Sequence, residues 1–213
     1  MTLILNVTAT LLFGLTALLG RGPGNGPGSG SGSGSGSGYG SGSGNGGPSG
    51  TPCETCQATT PATTPTTPTT PLSATEQASL LYMREEEKLA RDVYNAFYAR
   101  YGLRVFSNIA ASEQAHMNAV LTLLNRYGLA DPAAAAPGVF NNDALQALYD
   151  DLIDQGNESL TAALQAAVLI EETDIADLQD GLALTSHADL RAVYTNLLRA
   201  SQNHLRAFSR QLP

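Results

Sequence analysis

The sequence predicts an all-α domain over residues 72–213, and three observations carry that expectation. Apolar residues recur every three or four positions through four long stretches of this region, the period of one face of a helix. No alternating run long enough for a half-buried strand interrupts them. Most of the glycine and proline lies before Leu72 and most of the charge after it, so only the second part has the composition of a folding domain. Its length suits a single domain with its own core.

The first helix is predicted from Thr75 to Tyr101, on the recurrence of Leu80, Met83, Ala90, Val93, Tyr94, Phe97 and Tyr101, with Gly102 as its stop. The second is expected from Ser107, as N-cap, to Tyr127, ended by Gly128 and Asp131-Pro132. Its inward stripe is Ile109, Glu113, His116, Val120, Leu123 or Leu124, and Tyr127. Residues 128–157 form a long connection with a short helix from Asn142 to Gln155, bounded by Pro137-Gly138 and Gly156. A third long helix is predicted from Glu158 to Asp180, with Leu160, Leu164, Ala167, Val168, Glu171, Ile175 and Leu178 on one face. The last is predicted from Ser186 to Gln211, opened by a capping box of Ser186 and Asp189, with a stripe of Leu190, Val193, Leu197, Ser201, His204 and Phe208. Short turn, long connection and short turn then make a four-helix bundle with one crossover between the second and third long helices, the connectivity of ferritin-like folds.

Ahead of this domain, residues 2–20 are mostly apolar, which suits a cleaved export signal, a retained membrane anchor or an incidental apolar tail. No Lys or Arg precedes the stretch and Arg21 follows it. Residues 22–50 are a Gly/Ser repeat and 57–71 a Thr/Pro tract, neither able to bury enough apolar surface to offset ordering, so 22–71 reads as a disordered linker. The expectation is an exported or envelope-associated protein whose linker tethers the domain to a membrane or cell wall. Cys53 and Cys56 form a CxxC inside the linker, read as a local disulfide or two thiols in preference to redox chemistry, and as only half of a zinc site.

The formal net charge is −8 and the isoelectric point about 4.7. With no basic stripe to neutralise phosphates, nucleic acid is not an expected partner, and cations are favoured.

Glu113, His116, Glu171 and His204 fall at positions that the helical period assigns to the interior. Charged groups are almost never fully buried unless paired or metal-bound. Glu113 and His116, three apart, lie roughly 60° apart around the helix and about 4.5 Å along it, so both can reach one ion. Alone, Glu-x-x-His is a common accident, and a hydrogen-bonded pair is its plain reading. Arg84-Glu85-Glu86-Glu87-Lys88 alone would be a solvated charge run, but Glu87, Ala90 and Tyr94 share a face. His187, at a helix start, is read as a surface residue.

Glu-x-x-Ala-x-x-x-Tyr in the first helix followed by Glu-x-x-His in the second resembles the ferritin, rubrerythrin and erythrin superfamily. The runs MREEEKLARDVY, VFSNIAASEQAHM, LIEETDIADL and SQNHLRAF more narrowly resemble the DUF2202 family of ferritin-like proteins, over nearly all of residues 75–211. The resemblance implies metal ligation by Glu87, with Glu86 as the alternative, by Glu113 and His116, by Glu171, and by His204. Glu171 fits the inward period better than Glu172. Ser201 stands where the superfamily pattern has Glu, leaving the set one carboxylate short; Asp174 is placed to supply it, or a water held by Ser201 fills the gap.

Carboxylates and imidazoles suit iron or manganese. The resemblance implies two iron ions with O2 or peroxide as oxidant, Glu87 and Glu171 as terminal or bridging ligands, Glu113 bridging, and His116 and His204 terminal. Tyr94 could hydrogen-bond a bound oxygen species or donate an electron, or be a packed core tyrosine. Two functions follow: a di-iron oxidoreductase oxidising ferrous iron or reducing peroxide, or a non-catalytic module held together by metal. A homodimer is compatible with either.

Overall fold

The computed structural model describes residues 70–213; the apolar segment, the Gly/Ser repeat, most of the Thr/Pro tract, Cys53 and Cys56 lie outside the described residues. Five helices and no strand make up the described part: α1 (Ala74–Tyr101), α2 (Arg104–Tyr127), the short α3 (Asp143–Gly156), α4 (Leu160–Leu184) and α5 (Ala188–Ser209). None is long and apolar enough to cross a membrane.

Each start has a local cause. Ser73 and Glu76 form a reciprocal capping box at α1, Ser73 Oγ accepting from Glu76 N–H at 3.2 Å and Glu76 Oε2 accepting from Ser73 N–H at 2.9 Å. Asn142 Oδ1 accepts from Ala144 and Leu145 N–H at α3. Ser159 caps α4, so that helix begins at Leu160 and not Glu158, and it continues past Asp180 to Leu184. Two expected caps are not formed. Helix α2 starts at Arg104, three residues before Ser107, whose hydroxyl instead donates back to the Arg104 carbonyl. Ser186 and Asp189 make no capping box: α5 begins at Ala188 after His187, Thr185 Oγ1 accepts the His187 N–H, and Asp189 receives Tyr127 and Arg126. Gly102 and Gly128 close α1 and α2 at φ of 66° and 69°, a left-handed turn that a side chain would strain.

Two apolar clusters lie along the helices, and the order in which each helix meets them gives its direction. The first holds Tyr94, Phe97, Phe106, Leu164, Ala167 and Phe208; the second holds Leu80, Met83, Val120, Leu178, Tyr194 and Leu197. Reading along the chain, α1 and α5 run from the second to the first, and α2 and α4 from the first to the second. Helices α2 and α4 are therefore parallel, and the connection between them must return the chain along the length of the other helices. Burial of each large apolar side chain is worth about 1.5–3 kcal/mol, so these clusters are the main source of cohesion. Leu160, expected inside, is instead exposed on the first turn of α4.

The returning segment also covers the charge run of α1, which is not a solvated face: Arg84, Glu85, Glu86, Glu87 and Lys88 are all buried. Arg84 grips Asp131 with two hydrogen bonds at 3.0 and 2.8 Å. Glu85 accepts from Asn141 N–H at 2.7 Å. Lys88 Nζ donates to Asp92 at 2.6 Å and to the carbonyls of Ala136 and Val139, above the Phe140 ring. Arg84, Glu85 and Lys88 are tolerated inside because each has partners, and together they pin the crossover.

Gly156, at the end of α3, is where that crossover returns to α1, and a Cβ there would overlap the buried Phe97 ring. Gly156→Ala is expected to destabilise the fold by about 1–3 kcal/mol, the range for overpacking a closed core, as read by chemical denaturation.

Candidate metal centre

Between the two apolar clusters, each long helix contributes polar side chains at its middle. Helix α1 supplies Glu86 and Glu87, α2 supplies Glu113 and His116, α4 supplies Glu171 and Asp174, and α5 supplies Ser201 and His204; all are buried. The helical period that buries Met83, Ala90 and Tyr94 on α1 carries Glu87 to the same inward face, as it does Glu113 between Ile109 and Val120.

Two groups of these side chains could each hold a metal ion. Glu87, Glu113 and His116 form one, Glu113, Glu171 and His204 the other, and within each the ligand atoms all lie within 4.8 Å of one another. Glu113 belongs to both. Its Oε2 is 2.6 Å from His116 Nδ1 and its Oε1 is 2.8 Å from His204 Nδ1, so the two carboxylate oxygens face different imidazoles. His116 Nδ1 also lies 3.1 Å from Glu87 Oε2, and His204 Nδ1 lies 3.6 Å from Glu171 Oε1. The rings of His116 and His204 stack at 5.6 Å and 23°.

The donor atoms fit a hard divalent cation. Glu87 Oε1, Glu113 Oε1, Asp174 Oδ1 and His204 Nδ1 are enclosed yet have no hydrogen-bond partner within the protein. Glu113 Oε1 and His204 Nδ1 are 2.8 Å apart without the alignment of a hydrogen bond, as expected of two atoms directed at a third. A cavity of about 10 Å³, room for one water-sized sphere, is lined by Glu86, Glu87, Ala90, Glu113, Ile170, Glu171 and Asp174.

The other expected residues are placed differently. Glu86 lines the same cavity but joins neither group; its carboxyl meets Asp177, three residues beyond Asp174. Asp174 also lies outside both groups and approaches Ser201, whose hydroxyl donates to the Leu197 carbonyl at 3.0 Å. Tyr94 is fully enclosed and donates to Glu171 Oε1 at 2.8 Å. His187 is half-buried at the far end, with Nδ1 3.3 Å from the Tyr127 hydroxyl, and not free on the surface. Two neighbours were not singled out from sequence: Asp177, and Ser112, whose hydroxyl is 3.4 Å from His116 Nε2 and so orients the ring with Nδ1 inward. Glu171, Asp174 and Asp177 at intervals of three was the signal for the first; Ser112, four before His116, was the signal for the second.

Burial and crowding set the charges. Burial alone would raise Glu113, but the two imidazoles beside it hold it down to about 2. Burial disfavours charged His116, yet Glu113 and Glu87 outweigh this and raise it to about 11; Glu113 and Glu171 likewise raise His204 to about 9. Burial pushes Glu171 up to about 7 against the pull of His204. Burial and the charge of Glu171 push Asp174 to about 8, and burial with the charge of Asp174 raises Glu87. Without metal, the protons on these groups offset the crowding of carboxylates; a dication would replace them.

Comparison with known proteins places the chain. Residues 76–213 match the family described as "Uncharacterized protein domain (DUF2202)". The chain is 46% identical over 146 residues to the "Uncharacterized protein MJ0754" of Methanocaldococcus jannaschii, covering 68% of this chain and 79% of that protein. The crystal structure of that hypothetical protein superposes with a TM-score of 0.67, covering 68% of this chain and 83% of the other. A DUF305 fragment from Deinococcus radiodurans superposes at 0.53 with 14% identity, over 66% of this chain and 97% of that one, a likeness of fold alone. With its helical domain matched almost throughout, the chain belongs to the DUF2202 family.

Proposed function

We propose that this protein is a ferritin-like di-metal oxidoreductase, with Glu87, Glu113 and His116 holding one ion, Glu113, Glu171 and His204 holding the other, and iron the working metal. The observation that carries the reading is Glu113, whose two oxygens face two different histidines from the middle of four helices. The parallel α2 and α4, joined by a crossover, support the ferritin-like assignment.

Bound iron would supply electron exchange with dioxygen or peroxide. The chain's own part is to position and exclude. Ser112 fixes the His116 ring, and the Tyr94 hydroxyl, donating to Glu171 Oε1, fixes that carboxylate. In the metal-free chain Asp174, raised to about 8, holds a proton in the cavity beside Glu171 at neutral pH, and would release it when a dication binds. The apolar clusters on both sides keep bulk water out, and the enclosed cavity of about 10 Å³ leaves no room for a bulky organic substrate. Residues 2–20 and the linker, by composition, would tether this domain at the cell envelope.

The second reading, a non-catalytic module, is favoured by the way a metal here would tie all four long helices together. One experiment separates them. Protein loaded anaerobically with ferrous iron is mixed with O2 or peroxide and near-ultraviolet absorbance is followed. The oxidoreductase oxidises iron at least about 100-fold faster than its Glu171→Gln variant, as expected when a group acting directly on the reacting centre is lost. Metal that binds without turning over would leave the structural module.

A further inference from the structure

Four carboxylates stand three residues apart on α4: Glu171, Asp174, Asp177 and Asp180. Each step of three advances about 4.5 Å and turns the side chain about 60° back around the axis, so the row winds from the inward face to the outer one. Burial follows the turn: Glu171, Asp174 and Asp177 are 2%, 6% and 7% exposed, and Asp180 is open to solvent. Glu86 reaches this row from α1 on the side of Asp177, and it lines the cavity of the centre together with Asp174. Glu86 Oε2, Asp174 Oδ1 and Asp177 Oδ2 are enclosed and have no hydrogen-bond partner within the protein. The charges acting on Glu86 are those of Asp177, Asp174 and Glu87, all of one sign. Such burial costs folding free energy that leucine or methionine at these positions would not.

Resting on the metal centre proposed above, we propose that Asp180, Asp177, Glu86 and Asp174 form the route by which divalent cations reach it, with Glu86 and Asp177 as the holding point midway. Oxygen donors alone suit a hard, partly hydrated cation, and no imidazole stands along the row to trap it. The acids of the route are not gathered as tightly as the two groups of the centre. A passage needs that, since binding must be favourable enough to enter and weak enough to leave.

The test uses the full-length protein stripped of metal and mixed rapidly with Co2+, whose visible absorption on nitrogen and oxygen donors reports arrival at the centre. Asp177→Asn and Asp180→Asn are expected to reach the wild-type final absorbance at least about three-fold more slowly, since one charge of the row carries only part of the roughly 10- to 1,000-fold that electrostatic focusing can give. Glu172→Gln removes the same charge from an exposed position on the same helix, outside the row, and is expected to load at the wild-type rate. Asp180 is exposed, so its variant keeps the test valid if Asp177→Asn does not fold. Wild-type rates in both aspartate variants, or equal slowing in Glu172→Gln, would overturn the route and leave the centre standing. No cobalt absorption in the wild type would overturn the centre, and the route with it.

Discussion

Replacing Glu113 by glutamine is expected to remove tight metal binding from both halves of the centre at once. The side chain keeps its shape, but the amide loses the charge that faces His116 at 2.6 Å and His204 at 2.8 Å, and only one of its two ends can still act as a ligand. Glu87 and Glu171 each belong to one group, so Glu87→Gln and Glu171→Gln should each weaken one ion selectively. For Glu113→Gln the affinity should fall at least about 100-fold for both, beyond the 10–100-fold typical of a group that only supports a ligand. The metal-free variant should also show both histidines titrating closer to their ordinary 6.5, since Glu113 contributes to holding them at about 11 and 9. Calorimetric titration with Mn2+ reads the first effect and histidine NMR the second. A variant that still binds two ions tightly would rule out a shared carboxylate.

The metal-free protein is expected to be most stable in mild acid. Folded, Asp177 stands at about 6, Glu171 at about 7, Asp174 at about 8, His204 at about 9 and His116 at about 11. Unfolded, the acids return to 3.8 or 4.5 and the histidines to 6.5. The folded chain thus holds more protons than the unfolded one from roughly pH 4 to pH 11, and stability is lost as pH rises through that window. Glu113 acts oppositely: its folded value of about 2 lies below the ordinary 4.5, so its contribution is lost as pH falls through that interval. Each unit of raised pKa is worth about 1.4 kcal/mol of pH dependence, so the melting temperature at pH 5 should exceed that at pH 9 by at least about 5 °C. Divalent metal should reverse the slope, because it binds deprotonated imidazoles and releases their protons. At a free concentration about 1,000 times Kd it should add about 4 kcal/mol. A metal-free melting temperature that rises from pH 5 to pH 9 would contradict this charge assignment.

How far the sequence could be read follows from the range of each interaction. Helical period is local, so the four long stripes and the polar residues set within them were legible from spacing alone. Helix starts depend on which of several hydroxyls reaches an open N–H, and Ser107 and Ser186 were each nearby without doing so. The burial of Arg84 to Lys88 was not legible, because its partners, Asp131, Ala136, Val139 and Asn141, come from a crossover whose path is set by packing 40 to 60 residues away in sequence. Glu86 and Glu87 are neighbours on one helix, so period alone could not divide them. Only the positions of α2 and α4 send Glu87 towards His116 and Glu86 towards Asp177.

The shared position of Glu113 is tested most directly by counting metal. Native mass spectrometry of the full chain, before and after exposure to ferrous or manganous ions, should show a mass increment of two ions per chain. A chain that takes up none, or stops at one, would contradict it.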